Sequence, residues 1–399
     1  MLKILLAILG FIIVFKSSAA TVTVYNNNQK VQENAVVWLA PDQASGVNIN
    51  KSLFTMTQKN RQFTLASRPV GTPTKENFNL VETEIPSPQK GEVLLRTVYL
   101  SLDPYMRGRM SDAKSYAEPV AIDEVMVGGA VCRVEVSLND NFQVGDLVVA
   151  YTGWQDYAIS DGEELLKLPK TLTSPSYALG VLGMPGLTAY MGLLDIGLPK
   201  AGETVVVAAA SGAVGSLVGQ IAKLQGCRVV GIAGSEEKCH YVTDTLGFDA
   251  CVNHKSSDLA QLLAEQCPNG IDVYFENVGG AVFDAVMPLL NASARVPVCG
   301  LISQYNATEL PAGPDRLSSL MGLLLVKRIK MQGFIVFDDY GHRYNEFSQA
   351  MGQWLAEGKI IHREDKVIGL EQASNAFIGL LKGENFGKLV VEVGPLELT

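Results

Sequence analysis

The chain has 399 residues, 47% of them hydrophobic, with a formal net charge of -9 and a sequence pI near 5.1. That length is more than one hydrophobic core holds and predicts two lobes with additional terminal sequence. The acidic balance and the lack of a Lys/Arg-rich run exclude a nucleic-acid surface, which needs a basic face, and favour a small-molecule partner. The six cysteines, Cys132, Cys227, Cys239, Cys251, Cys267 and Cys299, include no C-x-x-C pair. This excludes a disulfide scaffold and a zinc cage, and predicts reduced thiols in a cytoplasmic body.

The N-terminus disagrees with that body. In MLKILLAILGFIIVFKSSAA, Lys3 precedes an apolar run from Ile4 to Phe15, and Ser18 to Ala20 are small residues of cleavage-site type. The pattern is that of a secretory signal peptide and is too short for a comfortable transmembrane span; a buried core helix is the alternative. TVTVYNNNQKVQENAVVWLAPDQ then reads as a hairpin around an Asn-rich turn. At Met56 the text changes to that of an ordinary cytosolic start. Residues 1–55 are therefore expected to be an extension outside the main fold, from a misplaced start or a fused remnant. An exported or membrane-tethered form is the alternative.

From Met56 to about residue 174, short strands and turns dominate. GEVLLRTVYLSLDP reads as a long strand ending at a proline, and GDLVVAYTGWQDYAIS as a strand pair entered through Gly145 and Asp146. From residue 175 the rhythm becomes strand, helix, strand, with six apolar cores: TVVVAA, RVVGIA, ACVNH, DVYFENV, ARVPVCG and KMQGFIV. Strands this apolar are expected where helices cover both faces of a parallel sheet. The fold class is thus α/β, a β-rich lobe joined to a doubly wound, Rossmann-type parallel sheet over 175–364. FGKLVVEVG returns to strand text, and 365–399 are expected to complete the first lobe, making the nucleotide lobe an insertion in chain order.

Within AAASGAVGSLVGQIAK, Val214, Leu217, Val218 and Ile221 share one face of a helix starting at about Ala213. Ala210-x-Gly212-x-x-Gly215 is the dinucleotide fingerprint with alanine in the first glycine position, and Ala213 and Val214 lie inside it. Gly212 would let the backbone approach a pyrophosphate, Gly215 would let the helix pack on the strand, and the helix N-terminus would favour the anion. An alanine-rich core helix is the alternative. At the end of the second strand, GIAGSEEK has Gly234 where an NAD site carries an acid. A 2′-phosphate then meets no repulsion, while Ser235 can donate a hydrogen bond and Lys238 a charge, which predicts NADPH. Lys238 could instead simply solvate a helix face beside Glu236 and Glu237.

No H-E-x-x-H, cysteine–histidine cluster or G-x-S-x-G elbow accompanies the four histidines, His240, His254, His342 and His362, so metal and acyl-enzyme chemistry are disfavoured. Hydride addition to a carbon–carbon double bond conjugated to a carbonyl fits. Its charge collects as an enolate that one or two hydrogen-bond donors can stabilise.

Together YLSLDPYMRGRM, GWQDYAI, VLGMPGLTAYMGLLDIG, AAASGAVGSLVGQIAKLQGCRVVGIAGSEEK, DVYFENVGG, VCGLISQYN and NFGKLVV resemble the zinc-independent medium-chain dehydrogenase/reductases. The branch is that of prostaglandin reductases, plant alkenal double-bond reductases and the bacterial curcumin reductase, and the likeness runs from about Asn60 to Val393. It implies a GroES-like catalytic lobe over 56–174, completed by 365–399, around a Rossmann lobe with NADPH in the cleft between them. It puts the phosphate loop at Gly212 to Gly215 and the 2′-phosphate lysine at Lys238. Asn277, Cys299 and Asn385 fall on the cofactor side, with Asn277 and Asn385 contacting the nicotinamide half or its ribose and phosphates. Tyr305 and Tyr105 line the substrate pocket, Tyr305 as the enolate donor and Tyr105 helping to close the pocket; either could instead be a loop residue packing its ring. His254 stands where related chains often carry a tyrosine near the adenosine phosphate. The metal-ligand positions of zinc-dependent relatives read SLDPYMRG and VMVGGAV here. The resemblance also implies a homodimer. A quinone reductase of the same fold and a non-catalytic NADPH-binding protein remain alternatives.

Overall fold

A computed structural model of the chain describes residues 59–309 and 315–396, together with four short strands nearer the N-terminus. The chain divides into two compact units, Met1–Lys59 and Asn60–Thr399. In the first, Leu6–Ile8, Phe11–Val14, Thr23–Asn26 and Gln29–Lys30 pair antiparallel in that order. The last two pair Tyr25 with Lys30 and Asn26 with Gln29, and the expected Asn-rich turn between them lies outside the described residues. The signal-type cleavage residues Ser18 to Ala20 and the expected boundary before Met56 lie outside the described residues. Among the described residues, no helix is long and apolar enough to cross a membrane.

The second unit opens with β1 (Lys59–Leu65) and β2 (Phe78–Glu84), followed by β3 (Val93–Ser101), β4 (Ala130–Ser137), β5 (Leu147–Ala150), β6 (Tyr157–Ser160) and β7 (Leu166–Lys167). β3 is the spine, with seven of its nine residues buried. It pairs antiparallel with β4 on one edge and β6 on the other. The strand pair expected over residues 145–160 is not a pair: β5 joins β4 and β7, whereas β6 joins β3. Apolar text fixes which segments are strands but not which neighbour each chooses, and the partner of β6 lies about sixty residues back along the chain, Tyr157 opposite Arg96. Phe63, Phe78, Trp154 and Phe377 pack edge to face or stacked at centroid spacings of 5.5–6.4 Å and form this lobe's aromatic centre.

The parallel sheet contains β8 (Thr204–Ala208), β9 (Arg228–Ala233), β10 (Ala250–Asn253), β11 (Ile271–Phe275), β12 (Leu290–Val298) and β13 (Lys330–Gly333). Their spatial order, β10-β9-β8-β11-β12-β13, is the 3-2-1-4-5-6 order of a dinucleotide fold. Val205 and Val207 point into one core, with Leu217, Val218 and Ile221; Val206 and Ala208 point into the other, with Val230 and Ile232. Both faces are dry, which explains the uninterrupted apolar strand text. The last strand stops at Gly333, short of the expected Val336. There the Asp339 carboxylate accepts the Ile335 N–H at 2.9 Å and the chain turns into the helix Val336–Tyr340.

The final strands β14 (Glu364–Ile368) and β15 (Lys388–Glu392) leave this sheet and enter the first one, β15 pairing antiparallel with β3. The strand Lys388–Glu392 thus lies in the same sheet as β3.

Candidate functional site

Between the lobes lies a cleft of about 730 Å³ whose walls come from both sheets. The turn from β8 into the helix α1 (Gly215–Leu224) forms its nucleotide end. Two backbone features shape that turn. Ala209 adopts φ +52°, in the left-handed region, and its carbonyl accepts the Gly212 N–H at 2.9 Å. A Cβ on Gly215 would lie 2.3 Å from the Ala209 oxygen, so only glycine lets the helix start against this turn, whereas a Cβ on Gly212 would meet only that oxygen, at 3.2 Å. The helix begins at Gly215, two residues later than expected, because Gly212 to Val214 are consumed in the turn. No side chain caps it, which leaves its N–H groups and positive end for an anion.

Gly212, Ala213, Val214 and Gly215 all line the cleft, but Ala210 does not. Ala210 is fully buried beneath the loop, donating its N–H to the Ile232 carbonyl, and a Cβ on Gly231 would touch its methyl at 2.8 Å. The residue in the strained turn conformation is Ala209, which an alanine-rich sequence gives no means of singling out.

Beyond the loop, Gly234, Lys238, His254 and Lys255 line the wall of the cleft. Ser235 is not on it: it is the N-cap of the short helix α2 (Glu236–His240), where its hydroxyl oxygen accepts the Lys238 N–H. The Lys238 ammonium donates to the carbonyls of Gly383 and Asn385, both at 2.7 Å, bridging the nucleotide lobe to the returning C-terminal segment. An ammonium has three N–H bonds, so one remains for a phosphate. His254 is held neutral: burial first, then neighbouring Lys255, lowers its pKa. Among the described residues lining this wall, none is an acid that would repel a 2′-phosphate. The residues present therefore fit a phosphorylated dinucleotide.

Asn277 follows β11 at the topological switch point, where the strand order reverses between β8 and β11, and Cys299 follows the neighbouring strand β12. The Asn277 amide donates to the Ala208 carbonyl at 2.7 Å, fixing its side chain on the cleft wall. Burial pushes the Cys299 thiol up to about 12, so it stays protonated. Asn385 lines the opposite wall, its amide donating to the Gly387 carbonyl. Gly387 in turn donates to Ser211 of the phosphate loop at 3.2 Å.

Tyr105 and Tyr305 face the cleft's other end, beside Arg109, Tyr116 and Tyr151. The Tyr305 hydroxyl accepts the Leu301 N–H at 3.3 Å, which leaves its own proton free to donate. Burial raises the Tyr305 phenol above its ordinary value against that hydrogen bond, and burial raises Tyr105 further. Tyr105 is carried by the Asp103-Pro104-Tyr105 loop, which is tied down by an ion pair that the sequence did not announce. The Lys388 ammonium, 1% exposed, donates to the Asp103 carboxylate at 2.7 Å and to the Leu102 carbonyl at 2.9 Å, while the Ser101 hydroxyl donates to the same carboxylate. A lysine inside the apolar strand text of NFGKLVV was the available signal. Among the described residues, no group of three or more His, Cys, Asp or Glu could hold a metal ion.

Two family models match the chain: N-terminal domain of oxidoreductase over residues 61–168 and zinc-binding dehydrogenase over 213–357. The chain is 63% identical over 336 residues to the NADPH-dependent curcumin reductase of Escherichia coli, covering 84% of this chain and 97% of that one. It is 44% identical over 338 residues to prostaglandin reductase 1 of Bos taurus, covering 83% and 98%. The crystal structure of CurA in complex with NADPH from Vibrio vulnificus superposes with a TM-score of 0.82 at 71% identity, covering 84% of this chain and 99% of that one. A dinucleotide sheet, a GroES-like β lobe and likeness along the whole length of these relatives lead to one conclusion: the chain belongs to the medium-chain dehydrogenase/reductase family, in the branch of the prostaglandin, alkenal and curcumin reductases.

Proposed function

We propose that the chain is an NADPH-dependent reductase of the carbon–carbon double bond of α,β-unsaturated ketones and aldehydes, curcumin-like enones included. The observation that carries this reading is the Tyr305 hydroxyl, held by the Leu301 N–H with its own proton unspent, in the same cleft as the uncapped phosphate loop. Gly212 to Gly215 would hold the pyrophosphate, Lys238 and His254 the 2′-phosphate, and Asn277 and Asn385 the nicotinamide half. When bound, NADPH supplies the hydride that adds to the β-carbon of the enone. Tyr305 donates to the carbonyl oxygen, where negative charge collects as the enolate, and a preorganised donor there acts on the transition state more than on the ground state. Tyr105 closes the pocket, excluding water from the developing charge.

On this reading, residues 56–174 with 365–399 are the catalytic lobe and 175–364 the nucleotide lobe. The body works in the cytoplasm, where reduced cofactor is supplied, as a homodimer.

The test is NADPH consumption by the protein with a small enone, run beside NADH and beside a quinone. Faster turnover of enone with NADPH supports the reading. Turnover of the quinone alone transfers the assignment to a quinone reductase, and tight NADPH binding without turnover to a binding protein.

A further inference from the structure

Cys239 in α2 and Cys251 in β10 are twelve residues apart in sequence, yet their sulfurs lie 2.6 Å apart, the Cys251 thiol donating to the Cys239 sulfur. Cys239 is buried and Cys251 half-buried. The pair occupies the joint on which the wall carrying Lys238 and His254 is built. Lys238 precedes Cys239, and His254 follows β10. A second tie crosses the same joint, from the Asn253 amide to the Glu236 carboxylate at 2.9 Å. A Cβ on Gly231 would meet the Ala210 methyl at 2.8 Å and the Cys251 sulfur at 3.3 Å, so the thiol packs close beneath the phosphate turn.

We propose that Cys239 and Cys251 form a redox-active dithiol, oxidised by peroxides to a disulfide that weakens binding of the 2′-phosphorylated cofactor. The sulfurs must close only from 2.6 Å to the disulfide length of about 2.05 Å. The hydrogen bond from Cys251 lowers the Cys239 pKa, which favours Cys239 over the other sulfurs as the attacking one, whereas burial raises the other four thiols. The Cys239 thiolate attacks one oxygen of hydrogen peroxide, breaking the O–O bond and leaving hydroxide and a sulfenic acid on Cys239. The Cys251 sulfur, giving up its proton, displaces hydroxide from the sulfenic sulfur. Two thiols are oxidised and one peroxide is reduced to two waters.

The disulfide clamps α2 to β10. Lys238, whose third N–H is left for a phosphate, sits on α2 and His254 follows β10, so drawing the two elements together displaces both groups, which costs NADPH affinity and leaves NADH unaffected. This coupling rests on the nucleotide assignment above.

The full-length protein, reduced or treated with one equivalent of hydrogen peroxide, is analysed by intact mass, peptide mapping and titration with each cofactor. The expected results are loss of two hydrogens, a Cys239–Cys251 crosslink, and NADPH binding weaker by about fivefold, at the lower end of ordinary coupling between sites, with NADH unchanged. Cys251→Ser should lose the crosslink and the affinity shift, both of which thiol reductant should reverse in the natural protein. A crosslink between other cysteines, no crosslink, or equal NADPH affinity in the two forms overturns the proposal. Failure of the reduced protein to bind NADPH instead defeats the nucleotide assignment, and mapping still reports on the thiols.

Discussion

Replacing Lys388 with methionine removes the ammonium that compensates Asp103 and leaves the carboxylate, itself 5% exposed, with the Ser101 hydroxyl as its side-chain partner. Breaking a buried pair from one side typically costs about 3 to 5 kcal/mol, because the remaining charge stays desolvated, whereas removing both charges is far less damaging. Lys388→Met should therefore cost about 3 kcal/mol or more in urea denaturation. Asp103→Asn added to it should restore about 2 kcal/mol, a coupling typical of contacting residues. Because the pair anchors the loop carrying Tyr105, kcat/KM for an enone should fall about tenfold or more in the single variant and recover in part in the double variant. A single variant within about 0.5 kcal/mol of the natural protein, or a double variant whose losses simply add, would refute the reasoning.

Tyr305→Phe deletes the proposed enolate donor and should lower kcat by about a hundredfold, with NADPH affinity unchanged, in steady-state kinetics. Because burial raises the Tyr305 pKa, the donating phenol is present at every pH below its ordinary value of about 10 and is lost only above it. The rate should then show no basic limb from this residue below that pH. Lys238→Ala should weaken NADPH by about tenfold or more in calorimetry and leave NADH unaffected. Gly215→Val places a branched side chain where even a Cβ lies 2.3 Å from the Ala209 oxygen, and should abolish tight cofactor binding while circular dichroism stays native. Ala209→Gly relieves the left-handed φ of +52° and should stabilise the protein by about 0.5 to 1 kcal/mol; a loss of stability would contradict the strain argument.

The parallel sheet was legible because its central strands, β8 and β9, are apolar runs buried on both faces, and RVVGIA coincides residue for residue with β9. Pairing in the β-rich lobe was not legible. Leu147–Ala150 and Tyr157–Ser160 read as partners because they are adjacent in sequence, but their partners are fixed by side-chain packing across the lobe. At the site, the fingerprint spacing located the loop, while the residue under strain, Ala209, carries no mark in a run of alanines. Ser235 was read as a phosphate donor because serine at a strand end suits that role; serine is equally suited to capping a helix, and in the structure it caps α2. Tyr305 was reached through family resemblance, since one tyrosine in a loop carries no periodic signal. The Asp103–Lys388 pair and the two neighbouring thiols arise only on folding, from segments that the linear text keeps apart.

The central claim concerns where the hydride goes. NADPH carrying deuterium at the transferable position of its nicotinamide, incubated with the protein and an enone, should give a saturated ketone with deuterium on the β-carbon and none on the carbonyl carbon. Deuterium on the carbonyl carbon of an allylic alcohol would contradict the account, because the protein would then be reducing the carbonyl and leaving the double bond intact.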